Sequence, residues 1–327
     1  MRDASRLPSA IRTLPSRSAT EPVVGLDLGG TKIAAALVAA DGTVLTRRTR
    51  PTPAADGAEA VLDALAAAAT EVASEAASGA EPRAVGVAAA GVIDPVSGTV
   101  TGATDTIRGW PGTPLAPALA ARLGTPVACD NDVRATAGPE LAALPDGSSL
   151  LYLAVGTGIG GAVAVDGRMA HGGRGVAGHL GHLPSPEADG LPCTCGAVGH
   201  LEAVAAGPGI TALYERLSGR SAGRLQTVAR RAEQGDAAAA QAITVGARAA
   251  GRMLGGLANA LGPDRVVVGG GVTGLGHRWF APLTEAFTAE LLTPIGELRP
   301  HPPRFGADAA VRGAALLTAT APMHHPA

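Results

Sequence analysis

The chain has 327 residues, 46% hydrophobic and 17% charged, with a formal net charge of −2. This length suits about two domains, and the near-neutral balance supplies no basic field to favour nucleic acid or an anionic membrane surface. With 3 Phe, 2 Trp and 2 Tyr, the core must be built from Ala, Val, Leu and Ile, and an aromatic platform for single-stranded nucleic acid is excluded.

Residues 1–21 are rich in Ser, Arg and Pro without an apolar h-region, so they read as a disordered tail rather than a secretory signal. VVGLDL (23–28) reads as a buried strand, Gly29-Gly30-Thr31 as a turn and KIAAALVA (32–39) as a second strand. Asp41-Gly42 is a hairpin signal, and TVLTRRTR (43–50) continues as a third strand. Residues 57–77 place Val61, Leu62, Leu65 and Val72 at helical spacing. AVGVAAAGVI (84–93) reads as one buried strand entering a loop at Asp94-Pro95. PVACDND (126–132) is a short strand with a polar end, followed by a helix to Leu144 in which Pro139 is a blemish.

The opening pattern then returns. LLYLAVGTGIGGAVAVDGRM (150–169) repeats apolar strand, Gly/Thr turn, apolar strand and Asp-Gly turn. Such a repeat predicts two related α/β halves with a cleft between them. Helical patterns follow at 208–217, 223–233 and 236–261; DRVVVGGGV (264–272) is a buried strand running into three glycines, and helices are expected at 278–291 and 308–320. No apolar run reaches the ~18 residues that span a bilayer. Three cysteines, two of them in a C-x-C, fit a reducing, cytoplasmic compartment rather than a disulfide scaffold.

Several clusters carry chemistry. A Gly/Thr turn lets backbone N–H groups approach phosphate oxygens without Cβ interference. Asp27-Leu28-Gly29-Gly30-Thr31-Lys32 and Gly156-Thr157-Gly158-Ile159-Gly160-Gly161 are two such turns, one per half. Neither contains G-x-x-x-x-G-K-[ST], so neither is a Walker A motif, and each opens a strand rather than the helix that a dinucleotide fingerprint requires. Asp27 reads as an anchor for Mg²⁺ through water, or as a turn cap. Lys32, the one lysine in the chain, meets phosphate charge or is simply solvated. Gly269, Gly270 and Gly271 allow a flat ligand such as an adenosine to approach the backbone. In Cys129-Asp130-Asn131-Asp132 a strand end meets a helix start, rigid enough for a general base, with one of the polar residues free to cap the helix. His182, Cys193, Cys195 and His200 could supply a four-coordinate Cys₂His₂ zinc site.

D-L-G-G-T-K, the N-D of DND, G-T-G-I-G-G, C-x-C-G-x-x-G-x-x-E and V-G-G-G occur in an order that resembles the ROK family of bacterial sugar kinases, within the actin/hexokinase-like ATPase superfamily. The resemblance covers residues 23 to about 320 and implies an α/β fold of two ribonuclease-H-like domains around a central cleft. The first would span 22–133 together with a C-terminal helix at about 306–321, and the second 134–305 with a zinc loop at 179–202. It implies ATP, Mg²⁺ and structural Zn²⁺, a small-molecule sugar as partner, a homodimer, and no nucleic acid or membrane partner. Asp132 matches the catalytic base; Asn131, Gly91, His182 and Glu202 match sugar-site positions.

Two departures from the family pattern stand out. His200 occupies the place of a third cysteine ligand. His179-Leu180-Gly181-His182 replaces E-x-G-H, so an imidazole stands where a glutamate accepts sugar hydroxyls; a donor there would suit an N-acetyl carbonyl. His179 in that slot resembles bacterial N-acetylmannosamine kinases. The expected reaction is phosphorylation of the C6 hydroxyl of N-acetyl-D-mannosamine, with glucose as the alternative acceptor. Sugar-responsive repressors of the same family carry a helix-turn-helix before the first glycine turn; the roughly 22 residues preceding it here do not read as helices, which argues against that role.

Overall fold

The computed structural model describes residues 21–75 and 82–326. The expected tail up to residue 20 and the end of the helix expected over 57–77 lie outside the described residues.

The first half forms a five-stranded sheet. β1 (Val23–Leu28), β2 (Lys32–Val38) and β3 (Val44–Pro51) are successive antiparallel neighbours. After α1 (Ala58–Ser74), β4 (Val85–Ala89) adds parallel to β1. A two-stranded ribbon, β5 (Val92–Asp94) and β6 (Thr99–Gly102), and α2 (Leu115–Leu123) precede β7 (Val127–Asn131), which adds parallel to β4. The order is β3-β2-β1-β4-β7. α3 (Asp132–Ala142) leads into the second half.

There β8 (Leu150–Val155), β9 (Ile159–Val165) and β10 (Arg168–Met169) are again antiparallel. Helices α4 (Glu202–Ala205), α5 (Gly207–Ser218), α6 (Leu225–Glu233) and α7 (Ala237–Leu261) follow. β11 (Arg265–Gly269), α8 (His277–Glu290), β12 (Pro300–His301) and α9 (Ala309–Thr320) complete the chain. The order β10-β9-β8-β11-β12, with β11 parallel to β8 and β12 parallel to β11, reproduces the first sheet. Three antiparallel strands followed by two parallel ones, built twice, is the ribonuclease-H-like duplication. Among the described residues no helix is long and apolar enough to cross a membrane.

The run 84–93 is not one strand. β4 stops at Ala89, Ala90 donates its N–H to the Leu28 carbonyl (3.3 Å), and Gly91 turns at φ +112° before the chain enters the ribbon. A continuous apolar stretch hides that break, which a glycine makes sterically easy. Trp110, fully buried, holds the turn by donating Nε1–H to the Ala90 carbonyl (3.1 Å).

α9 returns to the first sheet and lies backbone to backbone on it. A Cβ on Gly86 of β4 would fall 1.7 Å from the Ala314 carbonyl oxygen, and one on Gly25 of β1 would fall 2.0 Å from that of Val311. On the helix, Gly313 is equally close to α3: a Cβ there would lie 1.8 Å from the Ala135 carbonyl oxygen. Backbone cannot yield to such contacts as a flexible side chain can. Gly86→Ala is therefore expected to destabilise the protein by about 3 kcal/mol or more, at or above the upper end for overpacking; chemical denaturation measures it, and an unchanged midpoint would contradict this packing.

Candidate active site

The junction of β7 and α3 carries Asp132, the candidate base. Asn131 is the N-cap of α3: its Oδ1 accepts from the N–H groups of Val133 (3.0 Å) and Arg134 (3.2 Å). Its amide nitrogen donates to the Gly91 carbonyl (3.0 Å) and to Asp132 Oδ1 (2.8 Å). Asp132 Oδ1 also accepts the Val133 N–H (2.9 Å). Among the described residues Asp132 Oδ2 has no hydrogen-bond partner, and Asp132 lines the cleft. Burial pushes its pKa up to about 6, helped by the charge of Asp27 and opposed by the hydrogen bonds from Val133 and Asn131. Asp27, on β1, is itself raised by burial against the pull of Lys32 and Arg47. Two carboxylates within each other's field could hold a divalent cation, which would relieve the repulsion.

A cavity of about 330 Å³ brings Asn131 and Asp132 together with Gly158, Gly160, His179, Glu202 and Gly270. Glu202 starts α4; Oε2 accepts the Ile159 N–H (2.7 Å) and Oε1 accepts the Thr194 hydroxyl (2.5 Å). A Cβ on Gly158 would sit 2.8 Å from Glu202 Oε2, so this turn residue must stay small. His179 sits 2.9 Å by Nδ1 from the Val176 carbonyl. A carbonyl only accepts, so Nδ1 carries the proton and Nε2 of the neutral ring is an acceptor. The expectation of a donor for an N-acetyl carbonyl therefore reverses: His179 offers a lone pair to a hydroxyl or an amide N–H.

A second cavity, about 900 Å³, adjoins the first and is bordered by Lys32, Gly156, Thr157 and Gly271, with the start of α5 at Gly207 and Pro208. Gly156 lines both cavities. Its N–H bonds to the Gly158 carbonyl (2.8 Å), and its carbonyl accepts the Gly207 N–H (2.9 Å), so the turn is docked on α5. Gly29, Gly30 and Thr31 close the β1–β2 hairpin, with the Gly29 N–H on the Lys32 carbonyl (3.0 Å) and the Gly29 carbonyl taken by the Thr52 hydroxyl (2.7 Å). Gly270, at φ +94°, approaches the Val155 backbone so closely that a Cβ would lie 2.3 Å from its carbonyl oxygen. Gly271 is open. Gly269 departs from expectation: it is buried on β11, where a Cβ would meet the Tyr152 hydroxyl at 2.8 Å, and it serves packing rather than ligand approach.

His182, Cys193, Cys195 and His200 place one donor atom each within 4.8 Å of one another. Cys193 Sγ is 3.6 Å from His182 Nδ1, and Cys195 Sγ is 3.3 Å from His200 Nδ1. Metal–donor bonds of about 2.0–2.3 Å in a tetrahedron give edges of roughly 3.3–3.8 Å, so the set fits a four-coordinate metal. His200 Nδ1 supplies the fourth donor atom of this set.

The ROK family model matches residues 23–321. The chain belongs to the ROK family. This ROK chain is 36% identical over 300 residues to the N-acetylmannosamine kinase of Escherichia coli (strain 55989 / EAEC), covering 90% of this chain and 97% of that protein. Among solved structures it is similar to the ROK hexokinase from Thermus thermophilus, with 36% identity, a TM-score of 0.80 and coverage of 90% and 97%. The ROK family glucokinase from Streptomyces griseus, in complex with glucose and AMPPNP, matches with 31% identity, a TM-score of 0.73 and coverage of 90% and 98%.

Sequence reasoning missed two sets of contacts around the cavity of Asp132. Thr194, between the two paired cysteines, orients Glu202 and was masked by its neighbours. Asp130, 2% exposed, pairs with Arg134 (2.7 Å) and with His171 Nε2 (2.8 Å). Hydrogen bonds and charge from these partners outweigh burial and hold the Asp130 carboxyl below the usual carboxylate range. The i,i+4 spacing of Asp130 and Arg134 was the available signal for their pairing; His171 stood out only as one of four histidines within residues 171–200, with nothing to link it to Asp130. Purified protein is expected to carry about one divalent metal ion per chain, retained on gel filtration, and Cys195→Ser to lose most of it with a lower Tm. Elemental analysis checks this; metal-free protein with the same Tm would contradict it.

Proposed function

We propose that this chain is an ATP- and Mg²⁺-dependent kinase that phosphorylates the C6 hydroxyl of N-acetyl-D-mannosamine. The observation that carries the reading is the open Oδ2 of Asp132, on a carboxyl whose pKa is raised to about 6, in a sugar-sized cavity that meets the larger one at Gly156. ATP would occupy the larger cavity, its phosphates along residues 156–158 and toward Lys32. The sugar would occupy the smaller one, between His179, Glu202 and Asn131. Asp132 would take the O6 proton as that oxygen attacks the γ-phosphorus in line. Mg²⁺, held through water by Asp27, would supply charge neutralisation on the transferring phosphoryl group. Zinc at His182, Cys193, Cys195 and His200 would fix the chain on either side of the sugar, since His179 and Glu202 flank two of these ligands.

His179 Nε2 supports the amino sugar: an acceptor there suits the acetamido N–H or a neighbouring hydroxyl, and the kinase from Escherichia coli bearing this activity in its name is among the relatives. A second reading, glucokinase, is favoured by the likeness to the Streptomyces enzyme. Cytoplasmic residence, where ATP is plentiful, and a homodimer belong to the same proposal.

Comparing kcat/KM across glucose, mannose, N-acetylglucosamine and N-acetylmannosamine decides the acceptor. N-acetylmannosamine is expected to lead; glucose at equal or higher efficiency would contradict the amino-sugar reading. Asp132→Asn should lower kcat by about 10²–10⁴-fold and leave sugar binding largely intact; a variant above ~10% activity would refute the base. A base works only when ionised, so kcat/KM should be level above the raised pKa of about 6 and fall below it. The fall should approach about tenfold per pH unit; a profile flat down to pH ~5 would remove Asp132 from the titration.

A further inference from the structure

We propose that Arg134 is the positioning residue of the sugar-binding loop: it ties residues 171–178, and through them His179, to the helix turn that carries Asp132. The proposal deepens the kinase reading and rests on it for the identity of the ligand.

Arg134 is the third residue of α3 and is 2% exposed. Four of its five N–H donors make hydrogen bonds, and the remaining contact is the ion pair with Asp130. Nε donates to Asp130 Oδ1 (2.8 Å), and Nη2 lies 2.7 Å from the same oxygen. Nη1 donates to the carbonyls of Gly175 (3.0 Å) and Ala177 (3.2 Å), and Nη2 to that of Ile93 (3.2 Å). Asp130 extends the tie, since its Oδ2 meets His171 Nε2 at the start of the loop (2.8 Å). One buried guanidinium thus joins β5, the β7–α3 junction and both ends of the loop. A lysine, with three donors on a single nitrogen, could not span these carbonyls as a planar fork does.

The loop has no apolar anchor of its own. No residue from His171 to His179 is buried, and Val176 is 51% exposed. Gly172, Gly173, Gly175 and Gly178 make its backbone costly to fix. The bonds from Ala177 N–H to the His171 carbonyl (3.1 Å) and from Gly175 N–H to the Gly172 carbonyl (3.4 Å) curl the loop without attaching it. At Gly175 a Cβ would lie 3.1 Å from the Ile93 carbonyl oxygen, so loop and ribbon meet where Arg134 binds both. Beyond Gly178 the chain delivers His179 into the cavity of Asp132. The turn that presents the base therefore also sets its separation from His179.

The double variant Asp130→Asn/Arg134→Gln removes both charges together and leaves neither buried alone. In the unliganded protein, amide hydrogen exchange over 171–179 is expected to speed up about tenfold or more, the size lost with one or two charge-assisted hydrogen bonds. KM for N-acetylmannosamine should rise by about tenfold, while KM for ATP stays within about twofold. A purely structural role would lower Tm and the active fraction but leave both KM values and the relative exchange of the loop unchanged, and that result overturns the proposal. His171→Ala, at the partly exposed rim, should shift loop exchange and sugar KM the same way by about threefold, and it decides the matter if the double variant does not fold; no shift in either quantity overturns the proposal. Loop exchange needs no substrate. Wild-type protein that phosphorylates no hexose would sink the kinase reading, while unchanged exchange would sink the tie.

Discussion

The cap of one helix governs this molecule. α3 begins where β7 ends, and Asn131 closes that junction by receiving two backbone N–H groups while its own amide reaches Gly91 and Asp132. A helix N-terminus favours an anion, whereas burial and the facing Asp27 disfavour one, and burial prevails. The result is a carboxylate that is rigid, reachable through one oxygen and more basic than a free one. Loosening the cap would free the rotamer of Asp132, the turn at Gly91 and the first residues of α3 together.

The duplicated topology gives that carboxylate something to face. Each half ends its first hairpin in a glycine turn, and the second turn is held from behind by Glu202, which is held in turn by Thr194 of the metal loop. The cysteine–histidine cluster is therefore linked to the second glycine turn through a short relay of hydrogen bonds, from Thr194 to Glu202 to the Ile159 N–H, rather than by contact. Glycines serve two separate purposes here. Gly25, Gly86, Gly313 and Gly158 allow close approach, the first three between backbones of α9, α3 and the first sheet and the last to the Glu202 carboxylate, while Gly156 and Gly271 keep space open along the cleft.

Much of this was legible in the residues. Apolar runs punctuated by Gly-Thr and Asp-Gly located β1, β2, β8 and β9, and their recurrence disclosed two related halves before any coordinates. The break at Gly91 was hidden because alanine and valine flank it on both sides, leaving no polar residue to mark the turn. Gly269 could not be told from its neighbours, since three consecutive glycines look alike until Tyr152 and Pro303 pack against one of them. The tautomer of His179 depends on a carbonyl three residues earlier, and the role of Arg134 on carbonyls about forty residues away; hydrogen bonds of that kind leave no periodicity. The four side chains of the cysteine–histidine cluster could be picked out by type and spacing because tetrahedral coordination demands few, distinctive donors, and the fold brings those donor atoms within 4.8 Å of one another.

The central claim is spatial: Asp132 addresses the acceptor hydroxyl at the meeting point of the two cavities. A crystal structure with N-acetylmannosamine and a non-hydrolysable ATP analogue bound tests it most directly. The account predicts Asp132 Oδ2 within about 3.2 Å of O6, with the γ-phosphate on the far side of that oxygen beside residues 156–158. A closed complex with O6 turned away from Asp132, or with the nucleotide outside the larger cavity, would contradict it.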